Sequence, residues 1–129
     1  MIKKADKRHY SSVIDYLDKG GSINTSLLSF IEKYGFEKDF LDIWLYKDND
    51  DHILAIIMRY FNFLYIYSQD HLSEIEELGF FTSFLEPEII MGKTDILNRI
   101  SPSFRDMFLE SSIHMVLTNN KMLKPSPIV

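Results

Sequence analysis

The sequence predicts an α+β domain, and three observations carry that prediction. Apolar residues recur at helical spacing near the amino terminus, first as Tyr10, Val13, Ile14 and Leu17, then as Leu27, Leu28, Ile31 and Tyr34. From Phe40 to Tyr67 the period shortens to that of strands, with aromatic and β-branched residues in runs broken by turn signals. Within that stretch Ile53 to Met58 is apolar at every position, which is how a strand covered on both faces reads, and helices are the available cover.

The elements follow in order. Ile2 to Ala5 reads as a short opening strand, and Asp6 is placed to cap the first helix, which Gly20-Gly21 ends. Asn24 is placed to cap the second helix, with Ile23 and Leu28 as a hydrophobic staple and Gly35-Phe36 as a Schellman-type stop. Phe40–Lys47, Ile53–Tyr60 and Phe63–Tyr67 then read as a three-stranded antiparallel meander, turned by Asp48-Asn49-Asp50-Asp51 and by Asn62. A third helix follows Ser68, with Leu72, Ile75 and Leu78 inward, Glu74, Glu76 and Glu77 outward and Gly79 at its close. Glu88–Met91 reads as a strand, Thr94 as the cap of a short helix that Pro102 stops, and Phe104–Leu117 as extended, with a bulge near Ser111-Ser112. Residues 1–123 form one domain in this reading, and Lys124-Pro125-Ser126-Pro127 opens a proline-rich linker over 124–129.

Composition narrows the function classes. The 129 residues suffice for a core without staples, and the absence of cysteine leaves no disulfide, thiolate zinc site or cysteine nucleophile. A net charge of −5, with basic residues scattered along the chain, gives no footprint for phosphate backbones, so no nucleic-acid partner is expected. No apolar run approaches the roughly 20 residues of a membrane-spanning helix, and no signal peptide opens the chain. A cytoplasmic location without a membrane partner is expected.

No motif carries a complete chemistry. Gly92-Lys93-Thr94 resembles the end of a phosphate-binding loop, but Pro87 stands where that loop needs its first glycine. Asp48-Asn49-Asp50-Asp51 starts like a calcium loop, then has Ile53 in place of glycine and Arg59 in place of the closing glutamate. A solvated hairpin turn is the simpler reading. His9, His52, His71 and His114 lie far apart with no metal-ligand spacing and suit surface or cap roles. No serine has a nucleophile elbow or a local base, and the Glu74, Glu76, Glu77 group reads as a solvated helix face. The string from Tyr60 to Tyr67 suits core and hairpin packing, and its outward tyrosines, Tyr65 and Tyr67, offer the best candidate surface.

The order of elements resembles the GCN5-related N-acetyltransferase (GNAT) fold. Ser22-Ile23-Asn24-Thr25-Ser26-Leu27-Leu28, Ile31-Glu32-Lys33-Tyr34-Gly35-Phe36, Ile66-Tyr67-Ser68 and Ile89-Ile90-Met91-Gly92-Lys93 resemble the amino-terminal half of a group of bacterial acetyltransferases. There a degenerate acetyltransferase-like domain precedes a catalytic one. The resemblance covers nearly the whole chain and implies a mixed, mainly antiparallel central sheet with helices on both faces. It places any pocket near Tyr67, Ser68, Gln69 and Gly92. In active members an Arg/Gln-x-x-Gly-x-Gly/Ala loop between the fourth strand and third helix binds the acetyl-CoA pyrophosphate through backbone amides and a helix N-terminus.

The corresponding stretch here, Ser68-Gln69-Asp70-His71-Leu72-Ser73, has no glycine and adds a carboxylate. No catalytic, cofactor-binding or metal residue is therefore carried over, and no cofactor is expected for this chain, acetyl-CoA belonging to the related catalytic domains. The implied function is a non-catalytic domain that supports a carboxy-terminal catalytic GNAT domain or shapes its substrate side. The alternative is a stand-alone ligand-binding module, or a dimerisation module with a homodimer partner.

Overall fold

A computed structural model describes residues 1–69, 71–104, 107–110 and 115–119, the last two stretches as backbone. Contacts divide the chain into two compact units, Met1–Phe61 with Tyr67–His71, and Asn62–Ile66 with the described residues from Leu72 onward. The α+β class is found, and the strand pairings are mixed and mainly antiparallel.

In the first unit β1 (Ile2–Lys4), β2 (Leu41–Lys47) and β3 (Ile53–Tyr60) pair antiparallel in the order β1-β2-β3. The register sets Ile43 opposite Met58 and Leu45 opposite Ile56. Ala55 to Met58 are all buried, so β3 is covered on both faces as its unbroken apolar run predicts. Asp6 does act as a cap. Its carboxylate accepts from the Arg8 backbone N–H at 2.8 Å, and the His9 Nδ1 accepts from the Asp6 N–H at 3.0 Å. This capping box starts a 3₁₀ turn, Lys7–His9, that runs into α1 (Tyr10–Asp18). Hydrogen bonds from the Arg8 side chain and backbone hold the Asp6 carboxyl well below the usual carboxylate range.

Three local expectations are corrected in this unit. The inward face of α1 carries Val13, Tyr16 and Leu17, while Tyr10 is 42% exposed and meets Phe36 edge-on. Tyr16 turns inward because its hydroxyl finds hydrogen-bond partners there, which an apolar period cannot reveal. Asn24 precedes α2 (Thr25–Tyr34), but its side chain is buried and donates to the Leu17 carbonyl at 2.7 Å and does not cap α2. The Leu17 carbonyl at the end of α1, which also accepts from the Gly20 N–H at 3.0 Å, takes the Asn24 amide instead. Tyr67, expected to face outward, is only 4% exposed. Gly35 closes α2 at φ 70°, where its N–H bonds the Ile31 carbonyl at 2.8 Å. The aromatic string packs as hairpin structure, with Tyr60 stacked on Phe30 at 4.6 Å and Phe61 on Phe40 at 5.1 Å.

In the second unit β4 (Phe63–Tyr67) contributes its residues up to Ile66 and pairs parallel with β5 (Ile89–Gly92). β6 (Met107–Glu110) and β7 (Met115–Asn119) continue antiparallel in the order β5-β7-β6. The third helix, α3, spans Glu76–Phe84, so it starts later than expected and Gly79 lies inside it. Gly79 packs closely there: a Cβ would lie 2.7 Å from the Ser103 Oγ, which would have to turn away. Lys93, not Thr94, occupies the cap position of α4 (Thr94–Ile100), and a 3₁₀ turn over Ser101–Ser103 follows it. Leu64, Ile66, Leu78, Ile90, Leu97 and Ile100 form the core, while Phe80 and Phe84 stand 77% and 76% exposed. Asp70, His114, the bulge near Ser111-Ser112, the 124–129 tail and the Ile23 side chain of the staple lie outside the described residues. No described helix is long and apolar enough to cross a membrane.

Candidate functional site

Two places can be tested as sites. The first is the connection from β4 to α3, where the resemblance sets the cofactor loop. Ser68 is fully buried and its Oγ donates to the Leu54 carbonyl at 2.7 Å. Beyond His71, Leu72 is buried, and Arg99 of α4 donates to the Leu72 carbonyl at 2.5 Å. That clasp fixes the run into α3 through the Leu72 carbonyl.

The N-terminus of α3 carries its own negative charge. Ile75 is the cap residue and offers no side-chain hydrogen bond, while Glu76 and Glu77 occupy the first turn. The Glu76 carboxylate accepts from the Ile75 N–H at 3.3 Å, so a side chain of the protein sits where a bound anion would. Acidic groups stabilise a helix N-terminus by about 0.3–1 kcal/mol each, and they repel a further anion from it.

The second place is a cleft of about 380 Å³ in the first unit. Helix α1 and its C-cap line it with Ser12, Asp15, Tyr16 and Lys19, which recur at i, i+3, i+4 and i+7 and so share one face. The β2–β3 turn contributes Lys47, Asp51, His52 and Ile53, and Gln69 completes the wall. Tyr16 organises it: its hydroxyl donates to the Leu54 carbonyl at 2.9 Å and accepts from the Gln69 N–H at 2.8 Å. The Tyr67 ring meets Tyr16 edge-on at 5.7 Å, and its hydroxyl donates to the Gln69 Oε1. Lys47 is 12% exposed and its ammonium pairs with Asp51 at 3.0 Å.

The structure thus brings Tyr67, Ser68 and Gln69 together around Tyr16 and Leu54, with Gln69 alone of the three exposed at the cleft. Gly92 belongs to the second unit, as the last residue of β5. Sequence reasoning missed Ser12, Asp15, Tyr16, Lys19 and Lys47. The signal existed in the polar 12, 15, 16, 19 spacing, hidden behind the more conspicuous apolar one beside it.

The turn that starts like a calcium loop gathers Asp48, Asp50 and His52, with ligand atoms within 4.8 Å of one another. Asp48 is engaged in closing the turn: its Oδ1 accepts from the N–H groups of Asp50 and His52, each at 2.9 Å. The His52 N–H foremost holds the Asp48 carboxyl below its ordinary range.

Comparisons with known proteins agree on the fold. The chain is similar to a GNAT-family acetyltransferase from Staphylococcus aureus Mu50, at 12% identity and a TM-score of 0.51, over 93% of this chain and 98% of that one. It is likewise similar to the dodecameric spermidine N-acetyltransferase of Vibrio cholerae, at 8% identity and a TM-score of 0.50, over 98% of this chain and 97% of that one. No protein-family model matches the chain, and no curated protein matches it. The class these likenesses define is the GNAT acetyltransferase fold, in which the mixed sheet and helices find their place.

Proposed function

We propose that this chain is an acetyltransferase-like domain without catalysis of its own, working beside a catalytic GNAT domain that it supports or whose substrate side it shapes. The observation that carries this reading is the N-terminus of α3, where Glu76 accepts from the Ile75 N–H and Glu77 adds a second carboxylate. No glycine lies between Ser68 and Ile75, so the backbone lacks the freedom to wrap a pyrophosphate. The exposed phenylalanines of α3, Phe80 and Phe84, suit a domain that leans on another polypeptide.

Acetyl transfer releases CoA as a free thiol, and the chain has no cysteine to give a background. The chain incubated with acetyl-CoA and a mixture of primary amines, with spermidine among them, should release thiol no faster than buffer. A sustained, enzyme-dependent release would overturn the reading.

A further inference from the structure

The cleft of the first unit holds two pairs of opposite charges, and they differ in state. Lys47 and Asp51 form a closed pair at 3.0 Å, with little of Lys47 exposed. Asp15 of α1 and Lys19, the C-cap residue that keeps helical backbone angles, are four residues apart, in the order and spacing at which opposite charges on a helix normally meet. They form no pair. Among the described residues Asp15 makes no hydrogen bond or ion pair, and the Lys19 ammonium lies 5.8 Å from the centre of the Tyr16 ring as its only contact of that kind.

An open carboxylate and an open ammonium one helical turn apart are about 6 Å apart along the axis, at 1.5 Å per residue. That arrangement complements a molecule carrying the two opposite charges a few atoms from each other. The Ser12 hydroxyl also lines the cleft. A volume of about 380 Å³ is near the lower end of the roughly 300–1,000 Å³ typical of ligand pockets, which admits a small ligand.

We propose that this cleft binds a small zwitterion of the α-amino-acid class, its ammonium on Asp15 and its carboxylate on Lys19. Tyr16 serves as a positioning residue: it carries the Lys19 ammonium over its ring and holds Gln69 through the Gln69 N–H. The proposal stands apart from the acetyltransferase-like reading, since it invokes neither acetyl-CoA nor the N-terminus of α3.

The test is a titration of the isotope-labelled chain, followed by amide chemical shifts, with free L-amino acids added one at a time and no CoA compound present. The expected result is saturable shifts confined to residues 12–19, 51–53 and 69, with a Kd at or below about 1 mM for at least one amino acid. The N-acetyl and methyl-ester derivatives of that amino acid, each lacking one charge, should bind at least about tenfold more weakly. Asp15→Asn and Lys19→Met should each cause a similar loss, with the rest of the spectrum unchanged. No saturable shift up to about 20 mM, or equal binding of either derivative, overturns the proposal. The derivative comparison uses the unaltered chain, so it decides the matter even where a variant folds badly.

Discussion

At Gly92 two parallel strands come too close for a side chain. It pairs with Ile66, and a Cβ would lie 2.9 Å from the Ile66 carbonyl oxygen. Because that oxygen belongs to the backbone, no rotamer change relieves the contact. Gly92→Ala should lower unfolding free energy by about 1–3 kcal/mol in urea denaturation. An unchanged midpoint and slope would contradict the close approach. The sequence marks this glycine as punctuation between strand and helix, and that much was legible. The reason for it was not, because the partner oxygen, on Ile66, lies 26 positions away in the sequence. Asn24 and Tyr16 teach the same lesson. A cap rule reads Asn24 from its neighbours, while its amide answers a carbonyl at Leu17, and the Tyr16 hydroxyl answers groups at Leu54 and Gln69. Local rules see the residue's options; tertiary partners choose among them.

At the scale of elements, the first unit's sheet is pinned by one carboxylate. Asp42 of β2 sits opposite Arg59 of β3, whose Nε donates to it at 2.7 Å, and Lys4 of β1 reaches it at 2.6 Å. Arg59 also donates to the carbonyls of Phe61 and Asp39, so it ties both ends of the hairpin. Burial raises the Asp42 pKa, but the hydrogen bonds from Lys4 and Arg59 outweigh it and hold the carboxyl below its ordinary value. A folded-state pKa below the unfolded one gives stability that is present above the unfolded value of about 3.9 and is lost as pH falls through the folded value. Asp42→Asn should therefore cost about 1–3 kcal/mol at pH 7. The gap to the unaltered chain should close as pH falls below about 4, as thermal melts across pH would read it. A gap that stays constant into acid would contradict the assignment. Elements were legible where composition changed abruptly: β3 and β4 keep the bounds read from the sequence, set by the acidic turn and by Asn62. The start of α3 was not. Leu72 and Ile75 sit at helical spacing, yet Leu72 belongs to the connection that Arg99 clasps, and Gly79 reads as a stop while it makes room for Ser103.

For the whole molecule, the element order and a few strings of residues resembled the GNAT fold, and likeness at 12% and 8% identity over nearly the full length agrees on that fold. Function follows the site and not the fold. The proposal that this chain works without acetyl-CoA rests on a helix start that brings its own carboxylates and on a connection without glycine. The measurement that tests this most directly is a calorimetric titration of the chain with acetyl-CoA. The account predicts no saturable heat at cofactor concentrations up to about 1 mM, weaker than about −4 kcal/mol of binding. A micromolar Kd would contradict it, and would mean that the stretch from Ser68 to Ile75 binds a pyrophosphate without glycines and beside two glutamates.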